Sequence, residues 1–235
     1  MLSRIKTHFA TWLLLCLLSL APGLQAADGL RVLVTVKPVH SIVAALMRDI
    51  EGPDLLIDGT QTPYAYRPDT NFAEKLGEYD LVVWVGPELE GSLASALRQA
   101  SERTHVVEVL ASERLKILPS REGHAARDPY FWLDNRNIIM LAEDLAVLLQ
   151  ELDPLRSHVY ARNLRKLGAR LGQMDREYEY GYRGLKAAPA LQYHDTLQYF
   201  EQAYALTVLG RVTGSPLGPV DTLRLLGVRG QIATG

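Results

Sequence analysis

Apolar and polar positions alternate through the first half of the chain in a way that predicts strands separated by helices. Four runs rich in Val, Ile and Leu are predicted strands, at 30–36, 54–57, 81–85 and 106–110. The segments between them have helical spacing and predict helices over 41–49, 68–79 and 88–99. Strands that alternate with helices indicate a parallel sheet covered on both faces. Residues 111–127 are polar and irregular, which predicts a loop.

The second half begins with a long helical pattern. Asp134 is a good N-cap, and the apolar residues that follow are spaced by three and four. The pair Asp153-Pro154 predicts a kink or a restart, after which the pattern resumes and ends near Pro189. A helical span of this length suits a connection between two lobes. A second α/β unit follows, with strands over 191–193 and 206–212 and a helix over 196–204.

These patterns divide the chain into four regions. Residues 1–27 are a predicted secretory signal peptide, because Arg4 and Lys6 precede a short apolar run and Ala26-Ala27 offers a cleavage site. Residues 28–127 form an N-terminal α/β lobe, 128–188 a long linking helix region, and 189–235 a partial C-terminal α/β lobe. The expected product is soluble in the periplasm.

Charge and cysteine content exclude some classes of partner and site. Loss of residues 1–26 removes Arg4 and Lys6 and changes the formal charge from −2 to −4, so no basic surface for nucleic acid is expected. Cys16 is the only cysteine and lies in the leader. A zinc site in the mature chain would therefore use His and carboxylate ligands.

Two segments of the chain have a distinctive sequence. Residues 80–87 read Asp-Leu-Val-Val-Trp-Val-Gly-Pro, and residues 128–137 read Asp-Pro-Tyr-Phe-Trp-Leu-Asp-Asn-Arg-Asn. Both segments resemble the zinc/manganese solute-binding proteins that feed bacterial ABC importers. Lys37–Ser41, Tyr66–Pro68 and His194-Asp195 also occur in the order of that family. The resemblance implies an α/β protein of two Rossmann-like lobes with parallel sheets, joined by a long backbone helix. A metal would lie in the cleft between the lobes.

The resemblance also implies a metal site of three His and one carboxylate, of which this chain retains one residue plainly. His194 matches a family ligand, whereas Tyr130 stands at the position of a second. Tyr64 is the nearest replacement for the remaining His, and Thr62 is an alternative because the loop differs in length by a residue. The carboxylate belongs to a segment beyond Gly235, so the second lobe is expected to be incomplete.

The family implies Zn²⁺ as the metal, and the residues leave the choice open. A phenolate oxygen suits a harder ion such as Fe³⁺, and Mn²⁺ is also compatible with the resemblance. A neutral phenol is a poor ligand, since a metal must displace its proton. A degenerate site that binds no metal is the remaining alternative.

Three classes of function follow from this pattern. The first is a periplasmic receptor that captures a cation, zinc above all, and delivers it to an ABC permease in the inner membrane. The alternative is a metal-free paralogue that acts as a protein-binding or regulatory module. An enzyme is not expected, because the chain has no Gly-x-Ser-x-Gly elbow, His-Glu-x-x-His motif or phosphate-binding loop.

Overall fold

The first half of the chain folds around a four-stranded parallel sheet. The computed structural model describes residues 29–102, 104–121, 126–185, 190–214, 216, 218 and 220–234, so the predicted signal peptide lies outside the described residues. The strands are β1 Val32–Val36, β2 Asp54–Ile57, β3 Leu81–Trp84 and β4 His105–Glu108. Their order is β2-β1-β3-β4, and every neighbouring pair is parallel. The central strands β1 and β3 are buried throughout, as expected for strands covered on both faces.

Helices cover both faces of this sheet. The helices of this half are α1 Lys37–Leu46, α2 Phe72–Leu76, α3 Pro87–Glu90 and α4 Ala94–Ala100. Leu46 of α1 packs in one core with Val34 and Val83, while Phe72 and Leu97 pack with Val82 and Trp84 on the other face.

Three helix bounds differ from the sequence prediction. Helix α1 begins at Lys37 and not at Ser41, because Pro38 fits the first turn of a helix, where its missing N–H costs nothing. Helix α2 is shorter than the predicted 68–79. The predicted helix over 88–99 is interrupted by a 3₁₀ turn at Gly91–Leu93, where Gly91 weakens a continuous helix.

Two long helices connect the halves of the molecule. Helix α5, Asn135–Leu152, packs Leu145 and Leu149 into the core under the first sheet. A 3₁₀ turn at Pro154–Arg156 separates it from α6, Ser157–Tyr182, which packs along α5. The predicted restart at Asp153-Pro154 is therefore confirmed.

Helix α6 is anchored at both ends. Near its start, the Asn163 amide donates to the carbonyl oxygens of Leu46 and Arg48, 2.9 and 2.7 Å away. Near its end, Asp175 accepts a hydrogen bond of 3.1 Å from the Tyr204 hydroxyl in the second half. It is the long helix that the sequence led us to expect.

The second half contains a parallel pair of strands, β5 Ala190–His194 and β6 Val208–Thr213, and the helices α7 Gln198–Tyr204 and α8 Thr222–Thr234. A Cβ on Gly210 of β6 would lie 2.6 Å from Cγ2 of Val228, so α8 lies almost against the strand backbone. None of the described helices is long and apolar enough to cross a membrane. The α/β fold with parallel sheets and a long helix agrees with the sequence prediction, while the division at residues 127 and 189 stays a prediction.

Candidate functional site

A cavity of about 330 Å³ lies at the carboxyl ends of β1, β2 and β3. This is the edge at which parallel α/β sheets bind ligands. Most of its wall comes from the first half, and Pro216 contributes from the second. The apolar part of the wall consists of Val36, Pro38, Ile57, Pro63, Leu89 and Trp132. The polar part includes Tyr64, Tyr130, Lys37 and Thr62.

The structure brings two of the predicted site residues together. The hydroxyl oxygens of Tyr64 and Tyr130 lie 2.9 Å apart, and either group can donate to the other. Tyr64 lies within the turn that begins at Thr62, while Tyr130 precedes the 3₁₀ turn Phe131–Leu133. Trp132 meets the Tyr130 ring edge-on at 5.5 Å and fixes its orientation.

Both phenols of this pair are held in the neutral form. Burial raises the pKa of Tyr130, and the neighbouring Tyr64 raises it further. Burial also raises the pKa of Tyr64, although the hydrogen bond with Tyr130 opposes the shift. The pair therefore offers hydroxyl groups and not phenolates to whatever enters the cavity.

A fully buried glutamate, Glu90, underlies the same edge of the sheet. Its carboxylate accepts hydrogen bonds of 3.1 Å from the backbone N–H groups of Val85 and Gly86, and another from the Thr35 hydroxyl. Burial raises the pKa of Glu90 to about 7, although these hydrogen bonds oppose the shift. Gly86 is required here, because its φ of 151° and a 3.1 Å approach to Leu110 exclude a side chain.

His194 is the last residue of β5, one position beyond the predicted strand 191–193. Its Nδ1 lies 2.6 Å from the hydroxyl oxygen of Thr213. With Nδ1 engaged, Nε2 is the nitrogen that a metal would take. His194 does not line the tyrosine cavity, so the structure joins Tyr64 to Tyr130 but does not join His194 to either of them.

A cluster of charged side chains crosses between the two halves beside His194. Nη1 of Arg121 donates to Asp195 over 2.9 Å, and its Nη2 donates to Glu201 over 2.6 Å. Arg211 donates to Glu201 over 2.8 Å, and its Nε forms an ion pair with Asp195 at 2.9 Å, at an angle unsuited to a hydrogen bond. Burial raises the pKa of Glu201, but the hydrogen bonds from Arg121, Gln192 and Arg211 outweigh it and leave that pKa below its usual value.

Asp128 connects this cluster to the tyrosine pair. Its Oδ1 accepts from the N–H of Tyr130 over 2.9 Å, and its carbonyl oxygen accepts from the Tyr199 hydroxyl over 3.0 Å. Burial raises the pKa of Asp128 to about 6; the hydrogen bond from Tyr130 opposes the shift, while the charge of Asp195 adds to it. Sequence reasoning assigned Asp128 no role and missed Glu90. Glu90 lies in the sequence Gly86-Pro87-Glu88-Leu89-Glu90, and nothing in this sequence indicates that its side chain is buried.

The donor set around the cavity does not fit a bare metal ion. Zinc takes four ligands from His, Cys and carboxylate groups. Within the described ranges, no three or more side chains of His, Cys, Asp and Glu lie close enough together to hold a metal. The two neutral phenols do not replace such a set.

Curated relatives of known class match most of the chain. The high-affinity zinc uptake system protein ZnuA of Brucella abortus is 28% identical over 79% of this chain and 68% of its own length. The manganese ABC transporter substrate-binding lipoprotein PsaA of Streptococcus mitis is 26% identical over 87% of this chain and 70% of its own.

Solved structures share the fold. The AdcAII protein of Streptococcus pneumoniae superposes with a TM-score of 0.75, covering 88% of this chain and 77% of its own, at 18% sequence identity. The family model described as "ZnuA: Zinc-uptake complex component A periplasmic" matches residues 32–223, which includes both sheets, α6 and the whole cavity. The chain therefore belongs to the ZnuA family of zinc-uptake complex components.

Proposed function

We propose that this chain is the substrate-binding component of a metal-ion ABC importer of the periplasm, with zinc as its metal. It captures its cargo between the two halves and delivers it to a permease in the inner membrane. The observation that supports this proposal is the cavity at the carboxyl ends of β1–β3, where the hydroxyl groups of Tyr64 and Tyr130 lie together. The resemblance stated above assigns these two tyrosines to ligand positions. Family membership favours this transport component over the metal-free regulatory module.

His194, Tyr130 and Tyr64 are the residues proposed to face the metal. Helix α6 contacts the first half through Asn163 and the second half through Asp175. Zn²⁺ is the first choice of metal because the curated relatives of this family include zinc uptake proteins. Mn²⁺ and Fe³⁺ are the alternative cargoes, and the measurement below distinguishes them from Zn²⁺.

The test is the metal content and melting temperature of the mature chain purified from the periplasm, before and after treatment with a strong chelator. We expect about one metal per chain as isolated and a lower melting temperature once it is removed. A cargo present at a hundredfold excess over its Kd adds about 2.7 kcal/mol to the free energy of unfolding, which a thermal melt detects. A folded protein that carries no Zn, Mn or Fe as isolated would contradict the proposal.

The role of His194 is tested by His194→Ala. If Nε2 is a ligand, the variant loses at least about tenfold in affinity, or ~1.4 kcal/mol. His158→Ala, at an exposed histidine of α6, is the matched control and retains the metal. Equal metal content in wild type and His194→Ala would remove His194 from the site.

A further inference from the structure

The cavity beside Tyr64 and Tyr130 is built for something larger than an ion. Its volume of about 330 Å³ falls within the range of roughly 300–1,000 Å³ typical of small-molecule sites. A water molecule accounts for about 30 Å³ of liquid, so a bare cation would leave most of the cavity empty. Its apolar wall includes Leu89, Trp132 and Pro216. Such a wall favours contact with the apolar part of an organic molecule over contact with the water shell of a hydrated ion.

Among the described residues, the wall of this cavity offers few donors and a single cationic side chain, Lys37. None of the described residues that line it is a His, Cys, Asp or Glu. The ammonium group of Lys37 lies over Gly59, 3.1 Å from the position that a Cβ would take there, and both residues line the cavity. The charge of Lys37 acts on the carboxylate of Asp58, but that carboxylate accepts its hydrogen bonds from the backbone N–H and the hydroxyl of Thr60. Lys37 is therefore placed to meet a negative group of the cargo.

We propose that the cargo enters this cavity as a metal chelate, in which a small organic carboxylate brings most of the ligands of the metal. The apolar face of the chelator packs on Trp132 and Leu89, and its carboxylate pairs with Lys37. The hydroxyl groups of Tyr64 and Tyr130 bond to the polar atoms of the complex. This inference rests on the proposed function and specifies the form in which the metal is carried. It accounts for an apolar cavity of this size next to the pair of hydroxyl groups from Tyr64 and Tyr130.

The experiment is isothermal titration calorimetry on the mature chain with three probes. They are Zn(II) alone, pyridine-2,6-dicarboxylate alone, and their 1:1 complex, which combines a flat apolar ring with two carboxylates and leaves positions open on the metal. We expect the complex to bind at least about tenfold more tightly than either component, or ~1.4 kcal/mol.

Variants at Lys37 separate the carboxylate contact from a general loss of stability. Lys37→Met should raise the Kd of the complex about tenfold without changing that of Zn(II) alone, whereas Lys37→Arg, which keeps the charge, should stay within about threefold of wild type. Lys166→Met, at an exposed lysine of α6 outside the cavity, is the control and should bind like wild type.

Each remaining outcome has a definite meaning. If Zn(II) alone binds as tightly as the complex, the chelate inference is wrong and the importer function stands. If the chelator alone binds as tightly, the cavity recognises the organic molecule and the chelate inference is again wrong. If the complex does not bind while the protein carries zinc as isolated, only the inference is overturned. A folded chain that neither binds a probe nor carries metal contradicts both proposals.

Discussion

Glu90 keeps its proton at a pH where an exposed glutamate has lost it. Its raised pKa, about 7, means that the folded chain binds one more proton than the unfolded chain between about pH 4.5 and pH 7. The free energy of unfolding should therefore fall as the pH rises through this window, by about 3 kcal/mol for a group whose shift is this large. Asp128 acts in the same direction between about pH 4 and pH 6, because its pKa is raised to about 6.

The replacement Glu90→Gln tests this residue directly. Glutamine has nearly the same shape and can still accept from Val85 and Gly86, but it cannot ionise. The loss of stability between about pH 5 and about pH 7.5 should become smaller in the variant, as measured by urea unfolding at both values. Glu102→Gln, at an exposed acid, is the control. An unchanged pH dependence in Glu90→Gln would show that Glu90 is ionised in the folded chain throughout.

The residues of the cavity divide into those that the sequence could identify and those that it could not. The sequence analysis named Tyr64 and Tyr130 because the motifs around them resemble those of the family. Since both were expected to face the same metal, their contact in the structure agrees with that expectation. Lys37 stood inside a recognised motif but had no assigned role. Its placement over Gly59 depends on the loop after β2, and the path of a loop is not encoded in apolar periodicity.

Helix α5 begins where the sequence predicted, at the cap residue Asp134. The Asp134 carboxylate accepts from the N–H of Arg136 over 3.0 Å, and its backbone is extended, as an N-cap requires. The predicted ranges 68–79 and 88–99 were longer than the helices in the structure, and the helices there begin without a side-chain cap of this kind. Asp, Thr and Asn have low helix propensity, and α2 begins only at Phe72, after Asp69-Thr70-Asn71.

Removing this cap with Asp134→Ala should lower the free energy of unfolding by about 1–2 kcal/mol, because the N–H of Arg136 in the first turn of α5 loses its acceptor. Asp134→Asn keeps an acceptor oxygen and should recover most of that loss. Urea unfolding of the three proteins measures both effects. Equal destabilisation by Ala and Asn would assign the effect to the exposed pair with Arg136 instead of the cap.

At the scale of the whole molecule, the two halves are joined by α6 and by the charge cluster around Arg121. The sequence predicted the long helix from its spacing. It could not predict the cluster, because Arg121 is separated by 74 residues from Asp195 and by 80 from Glu201. Pairings over such distances depend on how the halves dock, which local patterns do not determine.

Arg121→Met tests how much this cluster contributes. Asp195 and Glu201 would keep Arg211 as a partner, so we expect a loss of about 1–3 kcal/mol and not the larger cost of an isolated buried charge. Arg114→Met is the matched control, since its pairs with Glu143 and Asp144 lie at the surface, where solvent screens them and they add little stability. Equal losses in the two variants, measured by urea unfolding, would show that the cluster does not hold the halves together.

The close approach of α8 to Gly210 has a consequence for sequence variation. A methyl group at this position would meet Val228 at 2.6 Å and Gln231 at 3.0 Å, so even alanine forces the helix away from the strand. In a library that samples all twenty amino acids at every site of β6, and is selected for folded protein, position 210 should yield glycine alone. A paired substitution that shortens Val228 should be the first to admit alanine there. Among natural sequences, the sizes of these two residues should then change together.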